Sequence, residues 1–305
     1  MAAGHGDPSR DPGTDFQEAE SLKALPMSKR AFRKITTYVL LFAGLFSLLL
    51  IGVQRFLSPP WNSIGSLVLV IGALATAAYL LDMMVPGVNI FSYAPHRLPQ
   101  SGNRVVLTFD DGPVEPFTRQ ILDILERYGV PAVFFCIGEN VERFPQVAKE
   151  IVMRGHELAN HTQSHRVLPF LPAEKVEREI RGGANACKKA SGVRPVFFRC
   201  PKGYKTRRVL KLAKKLGQQA IGFSYPIFDV ENPLPETLIH NVLHRVKGGD
   251  ILLMHDGFRK EKPASRDSLV AALPKIIEGV RGRGLEFVRL SDALAETLAE
   301  ENRRH

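Results

Sequence analysis

From residue 104 onward the chain alternates short apolar segments with amphipathic ones, and this alternation restricts the available folds more than any other feature. The strand candidates are Val105–Phe109, Ala132–Ile137, Glu157–Asn160, Val196–Arg199, Gln219–Ser224, Ile251–His255 and Glu286–Arg289. Helical stretches lie between them; in Thr118–Tyr128, Ile121, Leu122 and Leu125 share one face. Gly129, Gly155, Gly217 and Gly284 stand where such helices would end, because glycine readily takes the left-handed conformation that closes a helix. Strand–helix alternation at this spacing predicts an α/β fold of parallel strands joined by crossover helices. Seven units suffice for a barrel, one short of the usual eight.

The N-terminal third follows other rules. Residues 1–34 are polar, then basic (Lys23, Lys29, Arg30, Arg33, Lys34), and read as a disordered tail. Residues 35–53 and 64–81 carry no charge and are each close to the length that crosses a bilayer as a helix, so 35–81 predicts a two-helix transmembrane hairpin. The first apolar run starts too late and is too long for a cleaved signal peptide. Five Lys/Arg cluster at 23–34 just before the first span and one, Arg55, lies in the connector. The positive-inside rule then places both termini and the large domain on the cytoplasmic side of a bacterial-type inner membrane, the periplasmic or extracellular side being the alternative. Residues 82–102, with Pro86, Gly87, Pro95, Pro99 and Gly102, read as a turn-rich linker to a domain over 103–293, and 294–305 as a polar tail.

Net charge is +10, yet the cations are scattered, with no aromatic-interleaved basic stripe, so nucleic acid is not the expected partner. The charge suits an anionic membrane surface or substrate. Three cysteines, Cys136, Cys187 and Cys200, form no framework of pairs.

Polar residues gather at the C-terminal strand ends, the rim where parallel barrels build active sites. The first strand ends in Thr108-Phe109-Asp110-Asp111-Gly112-Pro113, whose adjacent carboxylates diverge, so one can bind a metal while the other faces a substrate. The third ends in His161-Thr162-Gln163-Ser164-His165, two histidines four apart that would share one face of a helical turn. One Asp and two His leave open positions for water and substrate. Arg199 emerges from an apolar strand with Asp110 as its candidate partner, and His255 ends the sixth strand as a candidate general acid.

With TFDDGP at 108–113, HTQSH at 161–165, RCPKG at 199–203 and LLMHD at 252–256, the chain resembles the polysaccharide deacetylase family, the NodB-homology or carbohydrate esterase family 4 domain. The resemblance implies a distorted (β/α)7 barrel and hydrolysis of the N-acetyl amide of an amino sugar. It further implies that Asp111, His161 and His165 hold a divalent metal, usually zinc, with cobalt or nickel possible. Asp110 would be the base acting on water, oriented by Arg199. His255 would protonate the departing amine, with Asp229 tuning it. Leu253 would line the slot for the acetyl methyl, while Pro201 and Lys202 would meet the substrate, the backbone N–H of Lys202 facing the oxyanion.

Some positions depart from the family pattern. Cys200 and Lys202 replace a proline and an aromatic, Val230 follows Asp229 where tryptophan is usual, and Phe223 and Pro226 replace Trp and Asp. Loss of stacking surface argues against a long polymer in an open groove, and Lys202 would suit a phosphate or acid group. The specific expectation is an amino sugar on a polyprenyl phosphate carrier. The alternatives are an extracytoplasmic peptidoglycan or exopolysaccharide deacetylase, a deformylase of a polyprenyl-linked sugar, and an inactive carbohydrate-binding module.

Overall fold

The computed structural model describes residues 46–295 apart from 50, 57, 60, 86, 100, 101 and 260. Two compact units are distinguished, 1–74 and 75–305. In the first, residues 46–49 and 51–56 are helical, and the Gln54 amide donates to Ser66 Oγ at 3.1 Å. Helix α1 (Trp61–Met84) starts in this unit and ends in the second. Its portion Ser63–Met84 is long and apolar enough to cross a membrane, and none of its apolar window is buried. The expected first span, 35–53, lies largely outside the described residues, so the two-helix hairpin is represented among them by one candidate span.

The second unit is a curled parallel α/β sheet. Its strands are β1 (Arg104–Asp110), β2 (Ala132–Cys136), β3 (Glu157–Asn160), β4 (Phe197–Phe198), β5 (Gln219–Ala220), β6 (Ile251–His255) and β7 (Glu286–Phe287). The covering helices are α2 (Phe117–Tyr128), α3 (Gly138–Arg143), α4 (Pro145–Met153), α5 (Ala173–Ser191), α6 (Arg207–Lys215), α7 (Pro235–Leu243) and α8 (Asp267–Gly282). Strand order is β5-β4-β3-β2-β1-β6, with β7 paired to the start of β1. The two-residue period of a strand divides the core. Val105, Leu107 and Phe109 pack outward under the helices, whereas Val106 joins Val133, Phe135, Ala159 and Ile251 on the inner face. Register then sets the site: Asp110 lies opposite Phe135 and His255, Cys136 opposite Asn160, and Asn160 opposite Phe198. The residues ending β1, β3, β4 and β6 therefore converge on one rim.

The barrel expected from seven units is an open half-barrel instead, since no strand pairing joins β5 to β6 among the described residues. Gln219–Ser224 would have made a longer β5, but the chain is drawn away after Ala220. Gly222 N–H donates to the Pro95 carbonyl at 2.7 Å, and Ser224 N–H to that of Ile251 at 3.0 Å. Residues 95–98 fill the seam. Leu98 N–H donates to the Gly249 carbonyl at 2.8 Å, Ser224 Oγ to that of His96 at 2.9 Å, and Arg97 pairs with buried Asp250 at 2.7 Å. Upstream, Asp82 Oδ1 accepts from the N–H groups of Ile90, Phe91 and Ser92, and Asp82 Oδ2 from Ser92 Oγ at 2.6 Å. Lys205 Nζ donates to the carbonyls of Asp82 and Val88, both at 2.6 Å. Those partners carry α1 beyond Leu81, and much of the stretch read as a linker is bonded into the second unit.

Candidate active site

β1 delivers its two carboxylates through a turn that glycine makes possible. Asp111 has φ 72°, in the left-handed region. A Cβ on Gly112 would collide with the Asp256 carboxylate, and one on Gly257 with the Asp111 carbonyl, so the loops after β1 and β6 pack directly against each other. Asn140 Nδ2 ties them together, donating to the carbonyls of Asp111 at 2.7 Å and Phe258 at 2.9 Å. Thr118 Oγ1 donates to Asp256 Oδ2 at 2.6 Å, and burial pushes the Asp256 carboxyl up to about 7. Asn140 and Asp256 had no assigned role in the sequence reading. Asp256 was visible inside LLMHD, whereas Asn140 has no sequence signal beyond its helix.

The two histidines do not sit on a helical turn as expected. Thr162 and His165 have φ 70° and 56°, and the loop is held from outside itself. Asn160 Oδ1 accepts from Thr162 N–H at 2.9 Å, Thr162 Oγ1 from His165 N–H at 3.0 Å, and the Glu179 carboxylate from Ser164 N–H and Oγ. α5 approaches closely enough that a Cβ on Gly183 would meet the Asn160 side chain. The loop, rather than helical periodicity, aims both rings at Asp111.

Asp111, His161 and His165 each offer a ligand atom within 4.8 Å of the others. His161 Nδ1 lies 2.9 Å from the Arg199 carbonyl, which assigns the proton to Nδ1 and leaves Nε2 bare toward the carboxylates. Burial holds both imidazoles down at about 4, hence neutral at pH 7. Burial also raises the Asp111 carboxyl, and its Oδ1 is buried without a hydrogen-bond donor. Two neutral imidazoles and an orphaned carboxylate oxygen fit a divalent cation of the zinc type, whose charge would relieve that oxygen.

Beside this cluster Asp110 is 4% exposed and Arg199 1%. Arg199 Nη1 donates to Asp110 Oδ1 at 2.7 Å and to Thr108 Oγ1 at 2.8 Å, and Nη2 to the Gly222 carbonyl at 2.7 Å. Its guanidinium lies over Phe135 at 4.0 Å and over Phe223 at 5.7 Å. Phe223, expected in a substrate wall, is thus a buried support for Arg199. Asp110 Oδ2 is left facing His161 Nε2 at 3.7 Å.

On β6, His255 N–H donates to Asp229 Oδ2 at 2.6 Å and Nδ1 lies 2.9 Å from Asp229 Oδ1. Burial works against the charged imidazole, but the Asp229 carboxylate outweighs it and raises His255 to about 9. The ring is therefore protonated at neutral pH, as a general acid requires. Leu253 and Pro201 are buried, whereas Lys202 is exposed at φ 60°. Phe228, beside Asp229, is 43% exposed at φ 62°, and Val230 is 45% exposed. Left-handed non-glycine residues gather at the loops of this rim, where functional sites store backbone strain.

The Asp229–His255 pair makes a testable claim. Without Asp229 the ring loses its strongest raising partner and keeps only the Asp111 and Asp110 carboxylates against burial, so Asp229→Asn is expected to move the basic limb of the kcat–pH profile downward. At pH 8 a loss on the order of 10–100-fold in kcat follows from the smaller protonated fraction. A bound cation lowers both limbs alike, so the separation between wild type and variant is the quantity to measure. Superimposed limbs would remove Asp229 from the role.

Comparison with known proteins gives one family. Residues 97–221 match the family described as polysaccharide deacetylase. A peptidoglycan-N-acetylglucosamine deacetylase of Bacillus cereus is 36% identical over 204 residues, 66% of this chain and 93% of that one. A chitooligosaccharide deacetylase of Sinorhizobium fredii is 37% identical over 199 residues, 61% of this chain and 91% of that one. Among solved structures, a peptidoglycan N-acetylglucosamine deacetylase matches with TM-score 0.62 and 32% identity, over 66% of this chain and 92% of its own.

Proposed function

Since the chain belongs to the polysaccharide deacetylase family, hydrolases of N-acetyl amides, we propose that it deacetylates an amino sugar in a membrane-held glycan precursor. The observation that carries the reading is the Asp111–His161–His165 donor cluster, flanked by Asp110 on one side and the Asp229–His255 pair on the other. A divalent cation held by Asp111, His161 and His165 would supply Lewis acidity, lowering the pKa of a water and polarising the amide carbonyl. Asp110, held by Arg199, takes the proton of the attacking water. His255 gives its proton to the amide nitrogen, so that the C–N bond breaks to acetate and a free sugar amine. Leu253 lines the methyl slot, and the backbone N–H of Lys202 faces the developing oxyanion.

Three features support a lipid-linked substrate. Arg199 takes up the Phe223 ring that would have walled a groove, Lys202 is an exposed cation, and Ser63–Met84 is apolar enough to hold the chain in a bilayer. In this reading the first span lies at 35–53 and the catalytic unit is cytoplasmic. The relatives' names favour a second reading, peptidoglycan or chitooligosaccharide as substrate, which would place the unit on the far side.

Acetate release from polyprenyl-phosphate-linked N-acetylhexosamine, peptidoglycan and chito-oligosaccharide decides between them. Release that a chelator stops and added zinc restores, greatest on the lipid-linked sugar, is the expected outcome. Preference for either polymer would establish the second reading, and release unaffected by chelation would remove the metal.

A further inference from the structure

We propose that the groove between residues 91–95 and α6 seats the headgroups of an anionic bilayer, with Phe91 and Tyr93 entering its surface. This rests on the reading of Ser63–Met84 as a membrane span. Phe91 and Tyr93 line the groove together with Arg207, Lys211 and Lys214 of α6, and no acidic residue lines it. Spacings of four and three place these cations on one helix face, while Val209 and Ala213 bury the opposite face in the core. None of the three cations has an ion-pair partner among the described residues.

The aromatic side of the groove is exposed. Tyr93 is 72% exposed, Ile90 56% and Phe91 50%, on a segment that Asp82 holds by its amides. The Phe91 ring lies 6.4 Å from that of Tyr79, which together with Leu80, Leu81 and Met84 leaves the end of α1 exposed and apolar. An apolar surface therefore continues from the end of the span onto 90–93 and meets unpaired cations there. Aromatic rings favour the headgroup level, and lysine and arginine favour anionic phosphates beside it. Continuity with the span selects lipid over a soluble anion as the occupant.

Fluorescence of the full chain in vesicles tests this. Trp61 is the single native tryptophan, so Trp61→Phe with Tyr93→Trp reports on the groove and Trp61→Phe with Val70→Trp on the span. Brominated phosphatidylglycerol is expected to quench both reporters. Adding Lys211→Gln and Lys214→Gln should weaken docking at Tyr93→Trp by roughly five-fold per cation, seen as a higher phosphatidylglycerol fraction needed for half-quenching. Quenching of Val70→Trp but not of Tyr93→Trp overturns the groove alone, as does Tyr93→Trp quenching that ignores lipid charge and both lysines. Lack of quenching at Val70→Trp removes the span, and the groove's role with it.

Discussion

Asp110→Asn is expected to lower kcat by about a hundred- to ten-thousand-fold, the range associated with loss of a positioned general base. Asparagine keeps the volume and one oxygen for Arg199 Nη1, now at 2.7 Å from Asp110 Oδ1, but no longer accepts a proton. Asp111, His161 and His165 are untouched, so the content of bound divalent metal should match that of the wild type. Acetate release and metal analysis on the same preparation separate a lost base from a lost metal. A variant that retains kcat within about threefold would remove Asp110 as the base, given the size of effect such a base provides.

The second large effect concerns stability. Arg199 is among the largest fully buried side chains, and it joins β4 to Asp110, to Thr108 and to the carbonyls of Ile221 and Gly222 at the seam. Arg199→Leu fills part of the volume but strands the buried Asp110 carboxylate and both carbonyls without their donor. Breaking a buried pair from one side costs about 3–5 kcal/mol. For a unit of this size that corresponds to a fall of about 6–20 °C in Tm, at roughly 2–4 °C per kcal/mol. Arg199→Lys should recover little, because one ammonium cannot replace a planar fork stacked on Phe135 at 4.0 Å. The double variant Asp110→Asn/Arg199→Leu should be more stable than Arg199→Leu alone, since the stranded charge is gone. Thermal melts of the four proteins measure this, and a Tm for Arg199→Leu within about 2 °C of wild type would contradict the burial argument.

What could be read in the sequence was local. Asp110 and Asp111 follow a strand whose period fixes inside and outside, and parallel register then brings His255 opposite Asp110. The pair Arg199–Asp110, named from chemistry and strand-end position, and the pair Asp229–His255, implied by the family resemblance, are found bonded. What could not be read depends on distant partners. HTQSH looks helical by spacing, but its shape is set by Asn160 and Glu179 acting on Thr162 and Ser164. Gln219–Ser224 looks like a full strand, and only Pro95 reveals why it stops. Asp82 looks like the first charge after a span, yet its carbonyl partner Lys205 lies 123 residues away. Proline and glycine between residues 86 and 102 signal turns, and turns can belong to a mount as easily as to a leash.

That difference bears on how the enzyme meets its substrate. A flexible leash lets a catalytic unit sweep a range of distances from its point of attachment. Here Asp82, Val88, Arg97 and Leu98 are held by Lys205, Gly249 and Asp250, so the distance from the end of α1 to Asp110 is a property of the fold. Were the 75–84 end of α1 held at a bilayer surface, as proposed above, the site would have a single working height. It would serve sugars presented at that height and pass over identical sugars carried nearer to or farther from the surface. Selectivity could then reside in the spacing between lipid and acetamido group as much as in the contacts made to the ring.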